Sequence, residues 1–159
     1  MTSRELLREA QTVLTSSVPR EPRRRLAVVS CMDARVDPWR ILRAAPGDMH
    51  TLRNAGGIVT YDVVRSLVLG QHTFGVRNIV VLMHTDCGLL GLDDARTNQE
   101  LTERLSHPAD IRFGGFSDLS EELHAGVERL RQEPLLAEIA NVAGQIYDVE
   151  TGQVRSIIT

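Results

Sequence analysis

At 159 residues the chain fits one domain and is long enough to bury a real core. Its 42% hydrophobic and 25% charged content is ordinary for a globular protein, and a net charge of −3 gives no electrostatic case for nucleic acid or an acidic membrane surface as partner. All 18 basic residues are arginine, which rules out Schiff-base chemistry on a lysine.

Leu6, Leu7, Ala10, Val13 and Leu14 recur at helical spacing, so residues 3–16 are predicted to form an amphipathic helix within an N-terminal arm, 1–18. That segment lacks the apolar core of a secretory signal, and no apolar run approaches the roughly 20 residues of a membrane span. A cytoplasmic location follows as the expectation, with no membrane and no nucleic acid among the partners. Pro19 and Pro22 break the chain, and Arg23-Arg24-Arg25 reads as a solvated lead-in, or less simply as a phosphate patch. A first strand is predicted over Leu26–Ser30. A short helix follows at Trp39–Ala44, with Asp37 as its cap and Pro38 in its first turn.

Pro46-Gly47 marks a turn, Asp48–Leu52 a second strand, and Arg53–Gly57 a polar loop. Val63, Val64, Leu67, Val68 and Phe74 make a helical face closed by Gly75, before a third strand at 78–83. Residues 93–117 read as a loop-rich insert with one weak helix near 99–106. Leu119, Leu123, Val127 and Leu130 predict a further helix, ending at Glu133-Pro134. Around Glu150-Thr151-Gly152, two short strands at 144–148 and 153–158 carry a hairpin signal. The alternation of strands and helices predicts an α/β fold: a mostly parallel sheet of about four strands with an antiparallel edge strand, flanked by helices. No internal repeat or linker is visible, so 1–159 is expected to be a single domain.

The chain's only two cysteines lie where the first and third strand runs end, in Cys31-Met32-Asp33-Ala34-Arg35 and His84-Thr85-Asp86-Cys87. Ligand sites of open α/β sheets gather beyond the carboxyl ends of the strands. If the two strands are neighbours, the segments converge. Cys31, His84 and Cys87 then form a three-ligand set for Zn²⁺, one short of the four of a closed structural site. A Cys31–Cys87 disulfide is the bland alternative, but it leaves His84, Asp33 and Arg35 without a purpose. An extended segment presents Cys31, Asp33 and Arg35 on one side, and one helical turn after Met83 would bring His84 and Cys87 together.

Zinc lowers the pKa of a bound water to about 7, giving hydroxide near neutrality. Asp33 would accept the proton of that hydroxide and orient it toward an electrophile, while Arg35 keeps Asp33 ionised. The combination points to hydrolytic or hydration chemistry. Asp86 reads equally as a neighbour of the ligands or as a helix N-terminal carboxylate. His50, His72, His107 and His124 show no ligand spacing, and Trp39 reads as packing. Asn54, Gly56, Gly57 and Gly88 are candidates for the substrate pocket, with a simple turn as the alternative for the first three.

The paired motifs C-x-D-x-R and H-x-x-C resemble those of the β-class carbonic anhydrases. Arg53-Asn54-Ala55-Gly56-Gly57, His84–Gly88 and Tyr147-Asp-Val-Glu-Thr-Gly152 extend the resemblance to the short prokaryotic branch of that family, from about Leu6 to Ile158. The resemblance implies zinc on Cys31, His84 and Cys87, an Asp33–Arg35 dyad, and hydration of CO₂ to bicarbonate and a proton. It also implies Asp33 as a conditional fourth ligand, and a homodimer or dimer of dimers in which the N-terminal helix packs on the partner. No tryptophan stands just upstream of Cys31, so the inhibitory bicarbonate pocket of some members is expected to be missing. Two alternatives remain: hydrolysis of carbonyl sulfide or carbon disulfide on the same scaffold, and a zinc-stabilised binding or redox-sensing module without catalysis.

Overall fold

The computed structural model describes residues 18–158; the helix expected over 3–16 lies outside them. Five strands form one sheet: β1 (Leu26–Cys31), β2 (Met49–Asn54), β3 (Asn78–His84), β4 (Asn141–Tyr147) and β5 (Val154–Ile158). Their spatial order is β2-β1-β3-β4-β5, parallel throughout except for the antiparallel β4–β5 pair at the edge. Helices α1 (Pro38–Ile41), α2 (Tyr61–Phe74), α3 (Asp94–Leu105) and α4 (Leu119–Arg131) flank it, so the expected α/β architecture is the one observed.

The β-branched run of β1 supplies both faces of the sheet, because successive side chains alternate. Ala27, Val29 and Cys31 enter the larger core with Val63, Val64 and Leu67 of α2 and Leu123, Val127 and Leu130 of α4. Val28 enters a smaller core with Met49 and Leu82, packed against Trp39, Ile41 and Leu42. α2 begins at Thr60, whose hydroxyl accepts from the Val63 amide, and ends at Gly75, left-handed at φ 66°. At α1 the Asp37 carboxylate accepts from the amides of Trp39 and Arg40, with Pro38 in the first turn as expected.

After β1 the chain moves to one side, to β2; α2 then carries it back across to β3 and on to β4. β1 and β3 are therefore the neighbours at which the winding reverses, with Ser30 paired to Leu82. This is the switch point where crevices of such sheets open, and both cysteine motifs leave from it.

Two local expectations change. The weak helix near 99–106 is a full twelve-residue helix, Asp94–Leu105, capped by Asp93. Only Ala95, Leu101 and Leu105 are apolar and none of its residues is fully buried, so its hydrophobic face is thin. After β3 there is no helical turn: residues 85 and 86 form a bend, with Asp86 at φ 53°.

The insert is tied back by Asp94, whose carboxylate accepts from the amides of Gly114 and Gly115, each at 3.2 Å. Those hydrogen bonds hold its carboxyl below the usual carboxylate range. With a depressed folded-state pKa, its stabilisation is fully present above the unfolded value of about 3.9 and is lost as pH falls through the folded one. The stability gap between wild type and Asp94→Ala in urea unfolding should accordingly be full at neutral pH and narrow below about pH 4. A gap that stays constant into acid would contradict this reading.

Candidate metal centre

β1 ends at Cys31 and β3 at His84, side by side, and the bend after His84 returns Cys87 to the same point. The donor atoms of Cys31, His84 and Cys87 all lie within 4.8 Å of one another, and all three residues are buried. Both cysteines are free thiols rather than a disulfide. Among the described residues no other group of histidine, cysteine or carboxylate side chains gathers in this way. His50 instead faces the Arg20 carbonyl at 3.2 Å, and His124 donates to the Ser120 carbonyl at 2.8 Å.

The imidazole of His84 is fully buried. Its Nδ1–H donates to the Thr85 carbonyl at 2.8 Å, which fixes the tautomer and leaves a lone pair on Nε2. That Nε2 is buried with no hydrogen-bond partner among the described residues, an arrangement that is costly unless the atom binds something. Burial, followed by the nearby Cys31, pushes the Cys87 thiol up. A divalent cation reverses that cost by neutralising thiolate charge. Two sulfurs and one imidazole nitrogen make a donor set suited to zinc. The residues present fit the ion.

Beside this cluster β1 gives way to a turn rather than an extended segment, the Val36 amide donating to the Asp33 carbonyl at 3.0 Å. The turn folds Arg35 back onto Asp33. Nε donates to Oδ1 at 3.0 Å and Nη2 to Oδ2 at 2.8 Å, while the Arg35 amide adds a third bond to Oδ1 at 2.8 Å. Hydrogen bonds from the Arg35 side chain and backbone hold the Asp33 carboxyl well below the usual carboxylate range. Asp33 Oδ2 is 4.0 Å from His84 Nε2, at the edge of the space between the ligand atoms. Arg35 also reaches Asp86: Nη1 donates to its Oδ2 at 2.7 Å and Nη2 to its carbonyl at 2.9 Å. Asp86 is therefore a partner of Arg35 and not a helix N-terminal carboxylate.

Arg53 has a role its sequence position did not reveal. Its Nε donates to the Cys31 carbonyl at 2.9 Å and its Nη2 to the Asp33 carbonyl at 2.8 Å. It thus clamps the backbone that carries both residues. Only the parallel β1–β2 register, Ser30 opposite Arg53 and Cys31 opposite Asn54, makes this visible.

Asn54 donates through Nδ2 to the Ile58 carbonyl at 2.9 Å, and its buried Oδ1 has no partner among the described residues. Gly56 and Gly57 form a tight turn under the site, and Gly88 faces open space next to Cys87. Gly57 has φ +67°, and a Cβ there would lie 2.8 Å from the Cys31 nitrogen. Gly57→Ala should cost about 2 kcal/mol or more from left-handed strain and backbone collision. The expected readout is a lowered thermal midpoint together with weaker zinc retention; an unchanged midpoint would contradict it.

An α/β sheet carries at its switch point a soft-donor cluster that could hold a metal, with an ionised Asp–Arg pair alongside. The match of residues 26–154 to the carbonic anhydrase family model makes the class specific, and this chain belongs to the β-carbonic anhydrase family. It is 33% identical over 140 residues to β-carbonic anhydrase 1 of Mycobacterium tuberculosis, covering 88% of this chain and 86% of that protein. It is also 34% identical to a carbon disulfide hydrolase of an Acidianus species, over 83% of this chain and 76% of the relative. The crystal structure of carbonic anhydrase from Streptococcus mutans superposes with a TM-score of 0.83 at 39% identity, covering 97% of this chain and 91% of that one.

Proposed function

We propose that this chain catalyses the reversible hydration of CO₂ to bicarbonate and a proton, with zinc held by Cys31, His84 and Cys87. The observation that carries the reading is the ionised Asp33, set by Arg35 at the mouth of a buried three-donor cradle. When bound, zinc supplies Lewis acidity that brings the pKa of water toward neutrality. Asp33 Oδ2 accepts a hydrogen bond from the attacking water and so aims its lone pair at the carbon of CO₂. Arg35 keeps that carboxylate charged and aligned. His84 presents Nε2 because the Thr85 carbonyl holds Nδ1–H.

Asp33 doubles as a conditional fourth ligand, since the carboxylate that pairs with Arg35 is also beside His84 Nε2. Asn54, Gly56, Gly57 and Gly88 border the substrate path in this reading, the open space at Gly88 supporting it most directly.

The assembly we propose is a homodimer or a dimer of dimers. Support comes from apolar side chains left in solvent, among them Met32, Tyr61, Leu105 and Ile111, and from α3 having no buried residue. Two free buried thiols suit the reducing cytoplasm. Among the described residues no helix is long and apolar enough to cross a membrane.

Relatedness to carbon disulfide hydrolases supports a second reading, hydrolysis of carbonyl sulfide or carbon disulfide at the same centre. Parallel assays of proton release from CO₂ and sulfide release from carbon disulfide separate the two. Faster turnover of CO₂ is expected; sulfide release without CO₂ turnover would overturn the first reading in favour of the second.

A further inference from the structure

Arg35 is gripped from two sides. Nε and Nη2 lie on the Asp33 carboxylate, and Nη1 and Nη2 lie on the carboxylate and carbonyl of Asp86. The contact to Asp86 Oδ2, 2.7 Å, is the shorter of the two ion pairs. Asp86 makes it from a side chain that is 77% exposed and has no other hydrogen bond among the described residues. An exposed ion pair of this kind adds little to fold stability. Asp86 nevertheless sits at φ 53°, a left-handed conformation that is uncommon for a residue with a Cβ. Aspartate visits that region more readily than most residues, and the bend there turns its carboxylate onto Arg35.

We propose that Asp86 is a positioning residue for the Asp33–Arg35 pair. It anchors Arg35 through Nη1 and Nη2, the edge next to the one Asp33 holds, so that the guanidinium keeps Nε and Nη2 on the carboxylate. The need for an anchor follows from exposure. Arg35 is 47% exposed, and without the Asp86 carboxylate on Nη1 the guanidinium would exchange with water and swing outward. Each such excursion would leave the Asp33 carboxylate unaligned for the attacking water and free to turn toward the metal ligands. With Asp86 in place the fork is held through Nε, Nη1 and Nη2 together, and its plane is fixed. The inference rests on Asp33 and Arg35 acting in the reaction proposed above.

The test uses the zinc-loaded full chain with Asp86→Gly and Asp86→Asn. Glycine keeps the left-handed backbone and its carbonyl acceptor, and asparagine tolerates the same φ while keeping a neutral oxygen. The expected result is a fall in kcat of about tenfold for glycine and about threefold for asparagine, with KM little changed, on the scale of one charge-assisted hydrogen bond. On an Arg35→Ala background, Asp86→Gly should have no further effect, because its partner is gone. An equal loss on both backgrounds would overturn the proposal by assigning the effect to the Cys87 segment. No loss, or a gain, would also overturn it.

A second readout does not depend on turnover. In ¹⁵N NMR, the Nη–H signals of Arg35, assigned with Arg35→Ala, should be resolved in wild type and merged by free rotation in Asp86→Gly. Identical Arg35 signals in the two proteins would overturn the anchor. If wild type turns over neither CO₂ nor carbon disulfide, the proposed reaction fails, and these signals alone decide for or against the anchor.

Discussion

Replacing His84 with alanine is expected to weaken zinc binding by on the order of a thousandfold and to abolish turnover. The imidazole is fully buried, is held by the Thr85 carbonyl, and presents an Nε2 that has no hydrogen-bond partner among the described residues. Removing it leaves two buried cysteine sulfurs where three donors lay together. Cys87→Ser is the companion variant, because it keeps the shape of the site while exchanging a soft donor for a hard and much less acidic one. Competition against a chromophoric chelator measures the affinity, and metal analysis after gel filtration gives the stoichiometry. Retention of stoichiometric zinc by His84→Ala would remove His84 from the ligand set.

The second large effect falls on Asp33. Asp33→Asn preserves volume and leaves an oxygen for Arg35, but it removes the charge that aims the attacking water in the proposed reaction. A loss of about 10²- to 10³-fold in kcat/KM is expected, the usual range for a positioned acid–base group. Zinc content should not change. That contrast separates an enzyme from a zinc-stabilised binding or redox module, which has no use for the pair. A variant with normal zinc and normal kcat/KM would show that Asp33 does not take part in the reaction.

Most of the sheet is readable from local pattern. The runs at 26–30 and 78–83 are β-branched and uninterrupted, as strands buried on both faces should be. Asp37-Pro38 and Gly75 mark helix ends by side-chain capping and by a left-handed backbone, both local effects. The convergence of Cys31, His84 and Cys87 is also legible, because each motif is short and stands at a strand end.

What was not legible depends on non-local geometry. Nothing near Arg53 in the chain says that it will face the carbonyls of Cys31 and Asp33; the parallel pairing of β1 with β2 decides that. The left-handed bend at Asp86 replaces the helical turn expected from the three-residue spacing of His84 and Cys87, since a bend meets the same spacing. α3 was hidden for a different reason. With only Ala95, Leu101 and Leu105 apolar its hydrophobic face is thin, and its main local signal is the Asp93 cap.

Stopped-flow measurement of CO₂ hydration by the zinc-loaded protein, with Asp33→Ala and Arg35→Ala alongside, tests the central claim most directly. The arrangement of Cys31, His84, Cys87, Asp33 and Arg35 predicts rapid hydration by the wild type, rising between about pH 7 and pH 8.5 because two thiolate ligands make zinc a weaker acid. It also predicts that both variants keep their zinc and lose most of the rate. A wild-type protein with zinc bound but no hydration at either pH would contradict the account.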